Sequence, residues 1–597
     1  MIWRGERRKS AAGRRSRHVG HPLTTTEPGL RARPAASALR PKMGGRCSSP
    51  LNGRQRRYLR GRADATMKNF MPYYRRQLAT ALLRRVSGEL DPQGKPAPQL
   101  LARELRGPPD TTLHEGLLSQ YDGDSRSWQE NYFILLGDFT LQWFESEEAL
   151  RKGCEPRGST ALSGYLLLSS PSEYAESLGD LCQGLADSAE SRRIWKAALR
   201  DGIRYRSTEL QRRDSLEAEA FLEAVRFYRQ ERGRYGAGDL LLGPEPEILG
   251  NVLMEDLLPV LRSQVLPSIR GSERRRRQLW LQFLQEVYAL ILSEIASEFE
   301  GFQKEKEKLQ MELEKKIRPD LDQMLTLKDQ IASKLQAAVQ SPAESCCGQS
   351  VEPHLECVME ELMRPVSSGV EAVRSLFAQR VDEMIGLVWS SPVAVLQKEL
   401  LTLGRTSWQP HVMHLCYEEA DLYRESLRGL EERFGFRGVT SLVLGAQNLM
   451  QQLMENATHT FLQLSQQHLG QAAGRRQLTQ MLGKVKERVL KKFDYDSSSV
   501  RKRFAQEWLV WIFLPFLLKH LESGCKLELP QYESFVFADF SGIINLENIY
   551  EETVLAVLLR AVGRALAEAS CRNRHNLYAD GFSLPQSSEE LLYEEMG

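Results

Sequence analysis

The sequence has few cysteines for its length, and none of them forms a C-x-x-C pair. Nine cysteines are scattered through 597 residues, which is typical of reduced thiols in the cytosol and argues against a disulfide framework. The N-terminus also lacks the apolar core segment of a secretory signal. The longest apolar run, Trp508 to Leu518, has about half the ~20 residues of a membrane-spanning helix. We therefore expect an intracellular protein in which this run is a buried helix.

Motifs of the common enzyme classes are missing as well. The nearest approach to a phosphate-binding loop, Gly483 to Val485, lacks both the hydroxyl residue and the upstream glycine. There is no H-E-x-x-H, G-x-S-x-G or protein-kinase signature. His411, His414 and Cys416 offer three metal donors where a structural zinc site needs four, and the acidic pair at 431–432 gives no reason to expect a shifted pKa. The sequence thus predicts no catalytic residues, no metal site and no cofactor.

Charge is abundant, and arginine is concentrated at the front of the chain. The chain is 42% hydrophobic and 26% charged with a mean hydropathy of -0.41, as in soluble globular proteins, and it is too long for one hydrophobic core. Residues 1–66 combine arginine clusters with Gly, Pro and Ser and little apolar periodicity. They predict a disordered, Arg-rich leader, with a mitochondrial presequence or a nucleic-acid arm as alternatives.

Residues 67–106 predict a helix followed by a linker associated with the helical body. Met71, Tyr74, Leu78 and Leu82 recur at helical spacing and form an apolar stripe. Two interpretations remain open at this point, because such a stripe fits a helix on a membrane surface as well as a helix docked on the rest of the protein.

Residues 107–205 change to a period of two and predict a small β module. The candidate strands are followed by a helix from Ala189 to Leu199 that carries Trp195. The connections between the strands are short enough for an antiparallel meander. The predicted strands are Leu113 to Gln120, Tyr132 to Leu136, Phe139 to Trp143 and Tyr165 to Leu168.

The rest of the chain has helical periodicity. The alternating Lys and Glu residues from Gln303 to Gln336 favour a solvated helix or a short coiled-coil seam, and Pro515 is expected to kink or end its helix. The predicted segments are helical region I at 206–340, a linker at 341–352, helical region II at 353–584 and a short acidic tail at 585–597.

Two resemblances add to this interpretation. The β meander followed by a helix with Trp195 resembles a pleckstrin-homology (PH) domain, which implies structural roles for Trp128, Trp143 and Trp195. The chain as a whole resembles the Niban family, and within it the member expressed in B cells. The stretches that carry this resemblance are Met67 to Tyr74, Phe221 to Glu231, Glu361 to Gly369 and Phe493 to Ser498.

The family resemblance implies a cytoplasmic or membrane-associated regulator of cell survival and stress signalling, with no known catalytic activity. A PH barrel has seven strands before its final helix, yet only the residues from Ser169 to Ser188 remain after the fourth predicted strand. Three more strands of five or six residues do not fit there. We therefore expect a shortened module with an incomplete barrel, as alternative exon use would produce.

The first loop of the module argues against specific phosphoinositide binding. A domain that binds a phosphoinositide head group specifically needs several cations that converge on adjacent phosphates. The loop from Gln120 to Arg126 holds two acids and one arginine. A protein-binding or purely structural module is therefore expected.

A membrane route is possible through the residues after Met43. Met43-Gly44-Gly45-Arg46-Cys47-Ser48 fits the M-G-x-x-x-S pattern, so Gly44 is a candidate for myristoylation and Cys47 for palmitoylation if translation starts at Met43. A chance match in a basic leader is the alternative. Nearby cations would add electrostatic attraction to anionic lipid, namely Arg54, Arg56, Arg57, Arg60 and Arg62.

Together these observations predict a mainly α fold: an elongated helical bundle or rod with a small, incomplete PH-like β module and a disordered basic N-terminus. The expected function is a non-enzymatic intracellular adaptor or scaffold of Niban type that acts through protein contacts near membranes. Two alternatives are a peripheral membrane protein acting through an acylated, basic N-terminus and nucleic-acid binding through the Arg-rich leader. The leader lacks the stacking aromatics that would make nucleic-acid binding specific.

Overall fold

The computed structural model describes residues 2–4, 51–90, 111–122, 127–163, 165–167, 189–213, 215–236, 238–469 and 474–579. The chain forms two compact units, and each contains three separate segments. The first unit comprises Met1–Leu82, Arg103–Arg229 and Leu240–Lys315. The second comprises Leu83–Ala102, Gln230–Asp239 and Lys316–Gly597.

The described part of the chain is predominantly helical with a small β module, which confirms the predicted fold class. Apolar side chains at spacings of three and four line the buried face of each long helix. The helices are α1 Gly53–Leu90, α2 Glu147–Arg151, α3 Ala189–Ser207, α4 Glu209–Arg212, α5 Leu216–Gln230, α6 Glu245–Gln264, α7 Glu273–Ile317, α8 Leu321–Ser350, α9 Glu352–Gly386, α10 Val393–Leu403, α11 Pro410–Asp421, α12 Arg424–Phe434, α13 Val439–Leu469, α14 Arg475–Leu521 and α15 Leu546–Ala579.

The β module is an antiparallel meander, as the period of two predicted. Its sheet has the order β2-β3-β4-β5, and a separate pair joins β1 to β6. The strands are β1 Ile2–Arg4, β2 Thr112–Asp122, β3 Ser127–Leu136, β4 Thr140–Phe144, β5 Gly158–Ala161 and β6 Tyr165–Leu167.

The fourth strand of the sheet was predicted wrongly. It is β5, in a stretch whose sequence, Gly-Ser-Thr-Ala, has no apolar alternation to reveal it. A Cβ on Gly158 would lie 2.2 Å from the Trp143 ring, so glycine lets β5 approach this indole. The strand predicted at 165–168 is β6, which pairs with β1 instead. The expected shortening of the barrel concerns residues 169–188, which lie outside the described residues.

Helix α1 corrects the prediction that all of residues 1–66 are disordered. It begins at Gly53, where Asn52 Oδ1 accepts the backbone N–H of Gln55 at 2.9 Å. Gln55 Oε1 accepts the backbone N–H of Asn52 at 2.8 Å in return. This reciprocal cap satisfies two N–H groups that a helix start leaves open. Burial of Leu59 and other side chains stabilises the helix further, because apolar residues recur along this face.

The rest of α1 settles the choice that the sequence left open. Tyr74, Leu78 and Leu82 from the predicted stripe are buried in the protein, and Met71 is half-buried. The stripe is therefore a docking face against the folded chain. A helix lying on a membrane would need the same side chains for lipid.

The predicted linker at 341–352 is also wrong. Helix α8 continues through Pro342 to Ser350, and α9 begins at Glu352. Pro342 lies on the exposed face, where water can satisfy the carbonyl that proline leaves without a partner. Ala343 and Cys347 are buried on the other face, and this packing outweighs the Ser, Pro and Gly content of the segment.

Helix α14 likewise continues through Pro515 and ends at Leu521. Of the two predicted effects of Pro515, a kink or an end, the end is therefore wrong. The apolar run around it is a buried helix, as predicted, because most of its large side chains are in the core, including Trp508, Leu509, Ile512, Phe513, Leu517 and Leu518.

The charged stretch at 303–336 belongs to two helices, because a turn at 318–320 separates α7 from α8. Among the described residues one segment, Arg275–Gln303 of α7, is long and apolar enough to cross a membrane by length and composition alone. Its buried side chains recur every three or four residues, as in the core helix of a soluble domain. They include Trp280, Phe283, Val287, Ile291, Ile295 and Phe299.

Candidate interaction surfaces

Trp195 lies in the buried core of the β module. Its side chain on α3 is 3% exposed, and its ring centroid lies 4.5 Å from that of His114 on β2. Gly116 passes so close that a Cβ there would lie 3.3 Å from the indole Nε1. The other core members come from β3 and β4, from the connections that follow β3 and β5, and from α3, namely Phe133, Leu135, Phe139, Leu141, Leu162, Ala198 and Leu199.

The other two predicted tryptophans differ. Trp143 on β4 is half-buried and stacks on Phe133 with ring centroids 5.8 Å apart. It therefore packs against the core residue Phe133 of the neighbouring strand. Trp128 lies in β3, and its side chain lies outside the described part of the chain.

The turn between β3 and β4 is fixed to the end of α3. Phe139 has a φ of 60°, and its buried ring lies 4.6 Å from that of Tyr205. Asp138 accepts a hydrogen bond from Arg206 at 2.9 Å and another from the Thr140 hydroxyl at 2.7 Å. These contacts fix the turn against the helix that carries Trp195.

The outer face of the sheet is apolar and only partly covered. Tyr132, Ile134 and Phe144 form a small buried cluster there. On β2, by contrast, Leu113 is 47% and Leu117 54% exposed. Within the described residues β2 is at one end of the sheet order, so these leucines lie on a strand whose second edge has no neighbouring strand. An apolar strand edge of this kind suits a protein contact.

The five predicted membrane-facing arginines lie on the first turns of α1, and the structure distinguishes them. Arg54, Arg56 and Arg57 are exposed, and no ion pair joins them to another described residue. Arg60 is bound to Glu294 at 2.7 Å, and Arg62 is half-buried. Three cations therefore remain available on one helix start. The predicted lipidation residues Gly44 and Cys47 lie outside the described residues.

A third surface lies between α14 and α15, in the segment Lys526–Phe540. Two 3₁₀ helices, Lys526–Phe535 and Ala538–Phe540, make up most of it. Leu527 is 73%, Phe535 43% and Phe537 56% exposed. We call these three side chains, with the segment that carries them, the Phe535 surface. Neither hydrophobic periodicity nor a motif in the sequence indicated it.

Within the second unit, two carboxylates cap the N-terminus of α13. Glu431 Oε1 accepts the backbone N–H groups of Gly438 at 3.0 Å and Val439 at 3.3 Å. Asp239 Oδ1 accepts the N–H of Ser441 at 2.8 Å. The positive end of the helix dipole favours both charges. Sequence reasoning missed this site because Asp239 and Ser441 are 202 residues apart.

Glu431 corrects the prediction of an unshifted acidic pair at 431–432. Burial raises the pKa of Glu431, and so does the nearby Asp239 carboxylate. Hydrogen bonds from Val439 and Gly438 oppose this increase without cancelling it. A carboxylate half removed from water binds its proton more tightly.

The described part of the chain also contains a small cavity and a buried thiol. A cavity of about 200 Å³, lined by residues that include Val86 and Leu321, is bridged by an ion pair between Arg318 and Glu89 at 3.2 Å. Among the described residues no three His, Cys, Asp or Glu side chains are grouped for a metal ion. Burial raises the pKa of Cys416 to about 12, which leaves this thiol a poor nucleophile.

Comparisons with known proteins match both parts of this architecture. A family model described as Protein Niban 2-like, PH domain matches residues 106–200, and one described as Protein Niban 2-like domain matches residues 345–515. The crystal structure of human FAM129B/MINERVA/NIBAN2 superposes with a TM-score of 0.78 at 29% identity, covering 87% of this chain and 98% of that one.

Curated relatives align over most of the chain. Protein Niban 2 of Homo sapiens is 32% identical over 582 residues, which cover 92% of this chain and 78% of the relative. Protein Niban 1 of Mus musculus is 36% identical over 584 residues, which cover 92% of this chain. The chain spans 63% of the length of that Niban 1 relative.

Proposed function

The chain belongs to the Niban family, and from this premise we propose that it is a non-enzymatic adaptor or scaffold in the cytoplasm, near the inner face of the plasma membrane. It regulates cell survival or stress signalling by binding other proteins. The observation that supports the proposal best is the apolar outer face of the PH-like sheet, with Leu113 and Leu117 exposed on β2. Exposed apolar side chains on a folded module favour protein recognition.

The mechanism of binding follows from the position of these leucines. The second edge of β2 offers backbone donors and acceptors to an incoming strand, and side chains at alternate positions then give specificity. Leu117 lies opposite Tyr132 in the strand register, so a partner that covers Leu117 extends the buried Tyr132 cluster. The partner in this proposal is a protein segment in extended conformation.

Proximity labelling in cells tests the proposal. The full chain, a chain starting at Met43 and the variant Leu113→Glu/Leu117→Glu are compared, with Leu415→Glu/Leu422→Glu as the matched control, because Leu415 and Leu422 are at least as exposed but lie in the second unit. We expect the β2 variant to lose a defined set of labelled proteins that the control retains. An unchanged set in the β2 variant would refute the role of the sheet face.

A second candidate function is peripheral membrane binding, which the exposed Arg54, Arg56 and Arg57 favour. Each basic residue near an anionic lipid surface contributes about 1 kcal/mol. Flotation with phosphatidylserine vesicles compares Arg56→Glu/Arg57→Glu with Arg75→Glu/Arg76→Glu, an adjacent exposed pair later on the same helix. If the protein binds membranes through these arginines, a smaller fraction of the Arg56→Glu/Arg57→Glu variant should float with the vesicles than of the Arg75→Glu/Arg76→Glu variant. Equal flotation of both variants would favour the adaptor.

A further inference from the structure

The Phe535 surface is held in place by buried anchors rather than projecting as a loose loop. Leu529 and Phe540 are each 5% exposed. The backbone turns are closed by hydrogen bonds from Val536 N–H to Glu533 O at 3.0 Å and from Phe540 N–H to Phe537 O at 2.9 Å. The segment therefore presents its three exposed apolar side chains in a fixed arrangement, which reduces the entropy lost on binding.

The segment that carries this surface is acidic. Glu528, Glu533 and Asp539 are exposed, and none of the three has an ion-pair partner among the described residues. The one lysine of the segment, Lys526, is paired with Glu547 at 3.8 Å. The segment thus carries three exposed carboxylates among its exposed apolar residues, without compensating charge from the segment itself.

One aromatic ring of the surface already binds a cation. Lys334 Nζ of α8 lies 3.3 Å from the centroid of Phe535, a geometry in which the negative face of the ring attracts the ammonium group. The Tyr532 ring lies 6.3 Å from that of Phe535, and Phe537 is exposed beside them in sequence. Guanidinium groups stack on such rings more readily than ammonium groups do.

We propose that the Phe535 surface is a docking site for a basic, amphipathic segment of a partner protein, rich in arginine and carrying large apolar side chains. The apolar side chains of the partner cover Leu527 and Phe537. Its guanidinium groups pair with Glu528, Glu533 and Asp539. This site adds a second contact to the proposed adaptor and does not depend on the sheet face. An anionic membrane is the wrong occupant, because the carboxylates repel its head groups.

Binding of a defined probe to the full chain tests the proposal. The probe is a fluorescein-labelled peptide of about 18 residues, five helical turns, with Leu on one face and Arg on the other. The control probe replaces each Arg with Glu. We expect the Arg probe to bind with an affinity that falls as salt is raised, since exposed ion pairs are screened, and the Glu probe to bind much more weakly.

Variants assign the binding to the site. Phe535→Ser/Phe537→Ser should lower the affinity for the Arg probe by about tenfold or more, as loss of central aromatic anchors does. Trp389→Ser, at an equally exposed tryptophan in the same unit, should leave this affinity unchanged. Glu533→Gln/Asp539→Asn should flatten the salt dependence, whereas Glu432→Gln should not. Circular dichroism verifies that every variant is folded.

Two outcomes would overturn the proposal. One is equal affinity of the Arg probe for the wild type and for a folded Phe535→Ser/Phe537→Ser variant. The other is preferential binding of phosphatidylserine vesicles through this surface, abolished by the same substitutions. Either result leaves the labelling test on Leu113 and Leu117 unaffected, so the two proposals fail separately.

Discussion

At the scale of single residues, two glycines show how neighbouring atoms determine the effect of a glycine-to-alanine substitution on stability. Gly238 lies against the backbone of the segment before α13, where a Cβ would be 2.5 Å from Arg437 O and 2.6 Å from Gly438 Cα. Gly301 lies on the exposed face of α7, with no atom within 4 Å of its Cβ position. Backbone atoms cannot move aside as a flexible side chain can, so the two sites should respond in opposite directions.

We expect Gly238→Ala to destabilise the protein by about 1–3 kcal/mol, because the added methyl group overpacks a backbone contact. Gly301→Ala should stabilise it by about 0.5–1 kcal/mol, because alanine restricts the unfolded chain and favours the helix. Urea unfolding followed by circular dichroism measures both. A Gly238→Ala variant as stable as Gly301→Ala would contradict the close approach of residues 238 and 437.

Glu431 gives a pH dependence with a definite sign. Its ordinary pKa is 4.5, and burial raises the pKa in the folded protein. The folded chain therefore binds this proton more tightly than the unfolded chain does. The contribution of Glu431 to stability is complete below about pH 4.5 and is lost as the pH rises through the raised pKa.

The stability of the wild type relative to Glu431→Gln should accordingly increase as the pH falls from 7 to 5. Urea midpoints of the two proteins at each pH give this difference, and the shared titrations of other groups cancel. Glu432→Gln is the matched control, because Glu432 is exposed next in the sequence and should give no such trend. A difference that stays constant with pH would contradict the burial of the Glu431 carboxylate.

At the scale of elements, helix α3 and the sheet depend on one side chain. Trp195 contacts residues from β2 and from the core of the sheet, as the His114 and Gly116 distances show. Removing a large buried aromatic side chain leaves a cavity that the surrounding strands can only partly fill. The module should therefore lose its packing before the helices of the second unit lose theirs.

Trp195→Ala should destabilise the first unit by about 3–5 kcal/mol, and Trp195→Phe should recover part of that loss. Trp389→Ala, at an exposed position, should change stability by no more than about 0.5 kcal/mol. Urea unfolding and the near-ultraviolet circular dichroism of the aromatic residues report both effects. Equal stability of the two alanine variants would mean that Trp195 is not part of the core.

At the scale of the whole molecule, each unit is assembled from separate segments of the chain. The short segment Gln230–Asp239 belongs to the second unit although both its neighbours in sequence belong to the first. Through it Asp239 donates its N–H to Arg437 O at 2.9 Å, and Gly238 O accepts the Ser441 hydroxyl at 2.8 Å. The second unit therefore cannot be cut out as one continuous piece without losing contacts.

A fragment of residues 316–597 should unfold at a lower urea concentration than the same unit in the full chain. It loses three hydrogen bonds to Gly238 and Asp239, each contributing about 0.5–1.5 kcal/mol, and the buried Val86 side chain of α1. Asp239→Ala in the full chain should show part of this loss. An unchanged midpoint for the fragment would show that these connections do not stabilise the unit.

The sequence by itself determined the class of the fold and the family. Its periods of two and of about 3.6 are local properties of a few turns or strands, so they predicted the meander, the Trp195 helix and the buried run around Trp508 directly. The four family-like stretches are contiguous as well. Patterns of this kind lie within a short window of sequence, so they can be recognised without knowledge of the rest of the fold.

The tertiary structure alone decided what lies exposed, buried or paired across long separations. In a disordered leader the arginines would all be alike, but helix α1 distinguishes them. Arg54, Arg56 and Arg57 are exposed without an ion pair among the described residues, and Arg60 is paired with Glu294. Pro342 is accommodated because Ala343 and Cys347 are buried. The carboxylates of Asp239 and Glu431 meet at α13, and the Phe535 surface forms between two helices. Burial and pairing depend on which distant segments come together, and no window of sequence contains that information.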